Sequence, residues 1–252
     1  VRGLLLYLQK LFLMKNWTFK KWNNILGWGV FGISLVTYLS TIEKKFSFWD
    51  TGEYISSAVK LEVTHAPGAA LFQLVGAVFA ILGFGNVENY GLIINAMSAL
   101  FSAFTILFLF WTITHIARRI LGKEMEDVNS LEQISILFSG VIGALCFTFS
   151  DTFWYSAVEG EVYSMASMFI ALIVWLITKW ENEYNADDNQ RWLILIFFLV
   201  GLSIGVHMMV MLCVPAVCFI YYAKNYSFTW KNFIIANFIT LGVLAFVFKG
   251  IF

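Results

Sequence analysis

One polar stretch, residues 43–65, carries residue types that acid–base chemistry uses. Within it Asp50, Glu53, Ser57 and Lys60 recur at steps of three and four, which places them on one face of a helix. Apolar segments flank the stretch, so the pattern predicts an amphipathic helix at a membrane surface. Asp50 and Glu53 are the strongest catalytic candidates, because ionisable groups beside hydrocarbon are costly and usually serve function.

The same two acids also fit a structural role. Asp50 could be the N-cap of the helix with Glu53 at its third position, a pair that resembles a capping box. The two roles are compatible, since a capping carboxylate that faces a cleft can still accept a proton when an apolar wall raises its pKa.

His65 and Lys60 are candidates for binding an anionic phosphate. His65 stands where the chain enters an apolar segment, and there Pro67 fixes the entry geometry while Gly68 allows close backbone approach. Each candidate also has an ordinary role: His65 as a satisfied interfacial residue, and Lys60 as a snorkelling or ion-paired side chain.

A second acidic loop, residues 150–164, lies far from the first in sequence. Its acids Asp151, Glu159 and Glu161 are mixed with aromatic residues. Such aromatic residues ordinarily form an interfacial belt, but carboxylates beside aromatic rings also suit sugars. His207 is either a hairpin cap or a site residue, whereas His115 is interpreted as structural.

Composition identifies lipid as the solvent of this chain. Hydrophobic residues make up 60% and charged residues 13% of the 252 positions, against about 45–50% and about 25% in soluble domains. The zero net charge gives no sign of nucleic-acid binding. The three cysteines lack paired spacing and no His/carboxylate spacing indicates a permanent metal, so we expect no metal or cofactor.

Apolar runs recur along the whole chain and predict an all-α, polytopic transmembrane helix bundle, residues 23–252, after a cytoplasmic leader, residues 1–22. The predicted spans cover residues 24–42, 90–116, 134–149, 163–180 and 233–252. Residues 67–84 are apolar but short and could either span or form a re-entrant segment. We adopt the re-entrant alternative, because a full span would place Arg118 and Arg119 outside. Residues 192–222 are long enough for a hairpin bent near residues 207–215.

This topology follows from the distribution of basic residues, which concentrate on the cytoplasmic side in short loops. It leaves only Lys44, Lys45 and Lys60 outside, with Lys249 near the outer end of the last span. The cytoplasmic set comprises Arg2, Lys10, Lys15, Lys20, Lys21, Arg118, Arg119, Lys123, Lys179, Arg191, Lys224 and Lys231. Both acidic loops then lie on the outer face, as a site at the membrane surface requires.

Several strings of this sequence resemble one family. Residues 48–54, F-W-D-T-G-E-Y, and 60–69, K-L-E-V-T-H-A-P-G-A, are similar to the protein O-mannosyltransferase-like membrane proteins of Bacteroidota and animals. The resemblance continues through residues 95–100, 150–154, 157–163 and 201–207. The departures are Thr51 where cysteine is usual, and Ala66 and Ala70 where proline is usual; none removes a reactive group.

The resemblance implies a glycosyltransferase of the GT-C superfamily in an inner membrane, active on the periplasmic face. It implies a polyprenyl-phosphate sugar as donor and Ser or Thr of an exported protein as acceptor, with mannose or another hexose transferred. Asp50 would be the general base and Glu53 would orient the acceptor or the base. Lys60, His65 and His207 would neutralise the phosphate, and the acids of the second loop would hold sugar hydroxyls. Family members are longer, so we expect this chain to be an N-terminal module.

Two other functions remain open at this point. The chain could be a non-catalytic scaffold that binds other membrane subunits of an envelope complex. It could also be a transporter, in which intramembrane acids couple to protons. A transporter should carry carboxylates near the middle of its spans, yet every acid here falls at a loop or helix end, which favours chemistry at the surface.

Overall fold

The computed structural model describes residues 18–45, 47–66, 68–122, 128–186 and 188–251. Within these ranges the secondary structure is helical throughout, which confirms the all-α prediction. The α-helices are α1 (Phe19–Ser40), α2 (Thr51–Lys60), α3 (Ala70–Ala80), α4 (Val87–Leu121), α5 (Ser130–Thr148), α6 (Asp151–Ala157), α7 (Val162–Asn182), α8 (Gln190–Ser203), α9 (Val214–Asn225) and α10 (Trp230–Ile251). Single 3-10 helices follow α3 (Ile81–Gly83) and precede α9 (Met208–Cys213).

Four helical segments are long and apolar enough to cross a membrane: Val87–Leu121, Ser130–Thr148, Val162–Asn182 and Met208–Asn225. Helix α1 has 22 residues but is less apolar, and its exposed face carries large hydrophobic side chains. It begins at Phe19, inside the predicted leader; residues 1–17 of that leader lie outside the described part of the chain. A polytopic helix bundle is therefore the architecture of this protein.

The bundle has two ends that must be distinguished. At one, which we call the site end, the hydroxyl of Tyr38 donates to the carbonyl oxygen of Thr148 at 3.0 Å, so the last turns of α1 and α5 meet. At the other, which we call the opposite end, Arg119 donates to Glu181 at 2.7 Å, so the last turns of α4 and α7 meet.

Helix α3 begins and finishes at the site end. The backbone N–H of Leu71 in its first turn donates to the carbonyl oxygen of Gly205 at 2.7 Å. Gly83, at the end of the following 3-10 helix, lies against the ring of Tyr90 near the start of α4. About 14 residues of helix would cover only ~21 Å, less than the hydrocarbon core. That this segment does not span stays a prediction, which its short length favours; Pro67 itself lies outside the described residues.

Helices α8 and α9 form the predicted hairpin. Near the start of α8, Arg191 pairs with Glu183 at 2.7 Å, and at the end of α9 Asn225 accepts a hydrogen bond from Tyr184 at 2.8 Å, both at the opposite end. The chain turns between them at residues 204–207, so the bend begins earlier than expected. Pro215 lies in the first turn of α9 instead, where its missing N–H leaves no hydrogen bond unmade.

The described basic residues divide as predicted between the two ends. Lys20, Arg118 and Lys179 line one cavity at the opposite end. The site end holds Lys44, Lys45 and Lys60, on the loop before α2 and at its last residue. Arg2, Lys10, Lys15 and Lys123 lie outside the described residues.

Helix α4 is the centre of the bundle and packs against α1, α5 and α7. Its 35 residues would extend about 52 Å, so it projects beyond a hydrocarbon core of about 30 Å. Its fully buried side chains include Ile94, Asn95, Met97, Ile106 and Phe110. Helix α5 approaches it closely at Gly140, where an added Cβ would lie 2.5 Å from Thr114 and 2.8 Å from Phe110.

We expect Gly140→Ala to lower the free energy of unfolding by about 1–3 kcal/mol, because the extra methyl group overpacks the α4–α5 contact. Gly32→Ala is the matched control: space is open beside Gly32 in α1, so the lost backbone freedom of the unfolded chain should raise stability by ~0.5–1 kcal/mol. Thermal unfolding in detergent measures both. Shifts of the same sign would contradict this account of the helix contact.

Candidate active site

The loop that leads from α1 to α2 is held by one buried amide. Asn95 of α4 is fully buried and its Nδ2 donates to the carbonyl oxygens of Glu43 at 2.7 Å and Lys45 at 3.2 Å. Gly91, one turn earlier, leaves room for the backbone of Lys45 to cross the helix. The loop therefore has a fixed position over the site end of α4.

The two acidic loops are joined by hydrogen bonds. The backbone N–H of Glu43 donates to the carbonyl oxygen of Val158 at 3.2 Å. The hydroxyl of Ser47 donates to Glu159, and the hydroxyl of Thr51 donates to Glu161 at 3.3 Å. Trp154 Nε1 donates to Thr41 at 2.9 Å. The predicted convergence of the two loops is thus a feature of the structure.

A cavity of about 190 Å³ lies where these loops meet the bend before α9. Four predicted site residues line it, namely Asp50, His65, Glu161 and His207. Tyr54, Ala66, Gly68, Ala69, Val162, Tyr163 and Val206 complete the wall. Such a volume could hold about six water molecules at ~30 Å³ each, so it suits a small polar group.

Three α-helices begin at this cavity. Asp50, Ala69 and Glu161 are the N-cap residues of α2, α3 and α7, and all three line the wall. None of their side chains makes a capping hydrogen bond. The N-terminus of an α-helix carries about half a positive charge, so the three dipoles favour negative charge inside the cavity.

Asp50, Glu53 and His65 form one cluster. Glu53 accepts two hydrogen bonds from His65, from the backbone N–H at 2.6 Å and from Nδ1 at 2.9 Å. On the other side of the ring, Nε2 lies 3.9 Å from a carboxylate oxygen of Asp50. Asp50 occupies the N-cap position but does not cap α2, so the capping-box interpretation was wrong. Its carboxylate is therefore available to a substrate.

The charges of this cluster stabilise one another. The hydrogen bond to Glu53 raises the pKa of His65, and the hydrogen bonds from His65 lower the pKa of Glu53. Ligand atoms of Asp50, Glu53 and His65 lie within 4.8 Å of one another, so the three could hold a divalent cation. Sequence reasoning, which expected no metal, considered spacing along the chain and not this three-dimensional grouping.

Glu159 and Glu161 are buried beneath the loops, 4% and 7% exposed. Burial is the main cause that raises the pKa of each carboxyl group. The negative charge of Glu159 raises the pKa of Glu161 further, while the hydrogen bond from Thr51 opposes the shift. Of the two, only Glu161 lines the cavity, whereas Glu159 contacts the first loop through Ser47.

His207 combines the two roles considered for it. Its Nδ1 accepts a hydrogen bond from the backbone N–H of Met209 at 3.1 Å, which caps the 3-10 helix and leaves Nε2 as the donor of the neutral ring. The ring also lines the cavity, with its centroid 5.3 Å from that of Tyr163. Burial lowers the pKa of His207.

Four predicted site residues do not line the cavity: Glu53 and Glu159 contact its surroundings, whereas Lys60 and Asp151 lie away from it. Lys60 is exposed at the last position of α2, and Asp151 is exposed in the first turn of α6. Ser57, expected on the same open face, is 5% exposed and faces the core instead. His115 is structural as predicted, since Glu181 and Asn182 contact its two ring nitrogens.

Sequence reasoning missed the residues that hold the site together. Asn95 and Thr51 position the loops, and Tyr54 and Tyr163 line the cavity. A usable signal existed for Asn95, because an amide in the middle of an apolar span is costly unless it has partners. Thr51 gave no such signal, since a hydroxyl in a polar loop is unremarkable.

We predict that Glu53→Gln moves the titration of His65 to lower pH. The amide removes the negative charge that stabilises the imidazolium, so the pKa of His65 should fall toward its ordinary value. Histidine-selective NMR of the labelled protein in detergent measures this, with His207 as the internal control. A His65 titration that stayed in place would show that Glu53 is not its partner.

We predict that Glu161→Gln raises the melting temperature at neutral pH by about 2–4 °C, corresponding to ~1 kcal/mol for this size. Because the folded protein raises the pKa of Glu161, its stability falls as pH rises from the ordinary value of 4.5 through the folded value. The amide avoids this loss and can still accept from Thr51. The gain should vanish below pH 4.5, and exposed Glu62→Gln should give none; a gain independent of pH would exclude ionisation as its cause.

Comparison with known proteins places this site in a family. Residues 50–230 match the model of the protein O-mannosyl-transferase TMEM260 N-terminal domain. The chain is 25% identical over 213 residues to the protein O-mannosyl-transferase tmem260 of Dictyostelium discoideum, covering 80% of this chain and 24% of that protein. It is 26% identical over 176 residues to the TMEM260 protein of Mus musculus, covering 69% of this chain and 22% of that protein.

No solved structure matches the chain. The chain spans about a quarter of the length of the curated relatives it matches. The matched segment begins at Asp50 and includes the whole cavity wall, so the site described above lies within the shared region. This chain belongs to the family of the protein O-mannosyl-transferase TMEM260 N-terminal domain.

Proposed function

We propose that the protein transfers a hexose, mannose, from a polyprenyl-phosphate donor to a Ser or Thr hydroxyl of an exported protein, and that the cavity at the site end is where transfer occurs. The observation that carries the proposal is the set of groups around this cavity. Three α-helix N-termini and the imidazoles of His65 and His207 surround the carboxylate of Asp50. This carboxylate makes no capping hydrogen bond and lies 3.9 Å from Nε2 of His65.

The helix N-termini and imidazoles suit the leaving group. When the bond between the anomeric carbon and the phosphate oxygen breaks, negative charge grows on the phosphate, and positioned donors stabilise it. The hydrogen bond to Glu53 raises the pKa of His65 and so favours its charged form, and His207 offers the N–H of Nε2. Three helix dipoles add to this positive potential. Lys60, which the sequence suggested for this role, is not needed.

The cluster of Asp50, Glu53 and His65 suits the acceptor. Asp50 would take the proton of the Ser or Thr hydroxyl as its oxygen attacks the anomeric carbon. Glu53 contacts His65 rather than Asp50, so its role is to orient and charge the imidazole. Glu161 would accept hydrogen bonds from sugar hydroxyls, with Glu159 supporting the loop. The scheme requires no resident cofactor.

The charge distribution supports an orientation with the site end outside the cytoplasm. Among the described residues, Lys20, Arg118 and Lys179 gather at the opposite end, as cytoplasmic ends do. In a bacterial inner membrane the site would then face the periplasm, where exported acceptors and lipid-linked donors meet. The acids of the described helices stand at helix ends and loops, not in the middle of spans, which disfavours a proton-coupled transporter.

The test is Asp50→Asn in the protein as its gene encodes it, assayed with a polyprenyl-phosphate hexose and a Ser/Thr peptide. Loss of a general base typically lowers the reaction rate by about 10²–10⁴-fold. We therefore expect kcat to fall at least about 10²-fold, with little change in KM for the donor. Glu88→Gln, which removes an exposed carboxylate at the same end, should leave the rate unchanged.

Transfer at the parental rate by the Asp50→Asn variant would remove Asp50 as the base. If the parental protein itself shows no transfer but co-purifies with other membrane subunits, the scaffold role would replace the enzymatic one. The two results are distinguishable, because transfer activity is present in the first case and absent from the parental protein in the second.

A further inference from the structure

A second polar cavity, of about 540 Å³, lies at the opposite end of the bundle, remote from the candidate active site. It opens between the first turn of α1 and the last turns of α4 and α7. We call it the basic cavity, because every charged side chain among the described residues on its wall is Lys or Arg: Lys20, Arg118 and Lys179.

These three cations are close enough to repel one another. Lys20 and Arg118 both act on Lys179 with unfavourable charge interactions, and Glu183 is the acid that attracts it. Glu183 is already engaged by Arg191 at 2.7 Å and by Trp192 at 2.8 Å. Like charges gathered around a common space favour an anion there.

The neutral polar groups of this wall do not all have hydrogen-bond partners. Within the described part of the chain, two buried polar atoms on this wall lack a hydrogen-bond partner, Nε1 of Trp111 and Oδ1 of Asn23. The first is a donor and the second an acceptor. Both atoms are inaccessible from the cavity, and Nε1 of Trp111 lies against Gly27 of α1, so they mark imperfect packing of this wall and not ligand contacts.

The inner wall of the basic cavity is aromatic. The rings of Trp111 and Trp175, which both line the cavity, lie 5.2 Å apart. The ammonium group of Lys179 stands 5.2 Å from the Trp175 ring centroid. Cations thus border apolar rings at the end of segments that can cross a membrane, which is how proteins receive a lipid whose head group is charged.

We propose that the basic cavity binds a phosphate group, presented by an anionic phospholipid head group. Arg118 uses one nitrogen on Asn182 at 2.6 Å, and its other N–H groups remain for the phosphate. Lys20 and Lys179 supply further positive charge on the same wall. The site is independent of the proposed glycosyl transfer.

The experiment compares three probes on the detergent-purified protein as its gene encodes it: phosphatidylglycerol, phosphatidylcholine and inorganic phosphate. We expect phosphatidylglycerol to remain bound in native mass spectrometry and to raise the melting temperature, and phosphatidylcholine to do neither. Stabilisation by inorganic phosphate alone would support the phosphate site but assign it to a free anion instead of a lipid.

Variants locate the effect. Arg118→Gln combined with Lys179→Gln should weaken phosphatidylglycerol binding at least about tenfold, since two charge-assisted hydrogen bonds are lost. Lys224→Gln is the matched control, because it removes one positive charge at the same end from a side chain that stacks on Tyr184 outside the basic cavity. It should change binding less than twofold.

Folding is checked by the melting temperature without added lipid. If the double variant unfolds, Lys20→Gln provides the test, because Lys20 is exposed and its loss leaves no buried charge. Parental binding by the folded variants, or no response to either phosphatidylglycerol or inorganic phosphate, would overturn the proposal. Failure here would leave the transfer assay with Asp50→Asn unaffected.

Discussion

The site end depends on the burial of one amide in an apolar helix. Asn95 is fully buried within α4, and an amide without hydrogen bonds in such surroundings would cost several kcal/mol. The carbonyl oxygens of Glu43 and Lys45 satisfy its Nδ2 group, so the loop before α2 is held against α4. Asn95 thereby also fixes the positions of Ser47 and Thr51. Their hydroxyl groups donate to the buried carboxyl groups of Glu159 and Glu161.

This arrangement keeps two carboxyl groups where their ionised forms are disfavoured. Glu159 and Glu161 are buried beside each other, and each receives a hydroxyl hydrogen bond from the loop that Asn95 anchors. A sequence selected for stability alone would place neutral residues there. Glu161 also faces the cavity, and a group that costs stability and faces a cavity is typical of a functional site, so the expected stabilisation by an amide at Glu161 bears on function.

Much of the architecture could be read from the sequence because lipid imposes simple rules. Apolar length identified the spans predicted at residues 90–116, 134–149 and 163–180, which correspond to helices long enough to cross a membrane. The distribution of basic residues predicted the hairpin of residues 192–222, which the structure forms. The bend was expected near residues 207–215 but begins at residue 204, and Pro215 lies in the first turn of α9, where proline is favoured. The periodicity of α2 was real, but it could not tell which side faced the core, so Ser57 was misplaced.

The candidate site was predictable in part for a similar reason. Costly residues at span ends identified Asp50, His65, Glu161 and His207, which the structure brings to one wall. Their partners were not predictable, because pairing depends on how separate loops pack. Lys60 lies beside these residues in sequence yet is carried away by the ten residues of α2. The basic cavity escaped notice because its three cations come from three different helices.

The remaining physical question is how an acidic surface could accept a phosphate. Asp50, Glu53 and Glu161 bring negative charge to the site, which by itself would repel a phosphate. Three features oppose it: Glu53 is hydrogen-bonded to His65, burial favours the protonated form of Glu161, and three helix N-termini point their positive ends at the cavity. Asp50 is the remaining carboxylate, 3.9 Å from Nε2 of His65. The proposed transfer needs this combination, because a base must accept a proton where the surroundings also stabilise a phosphate.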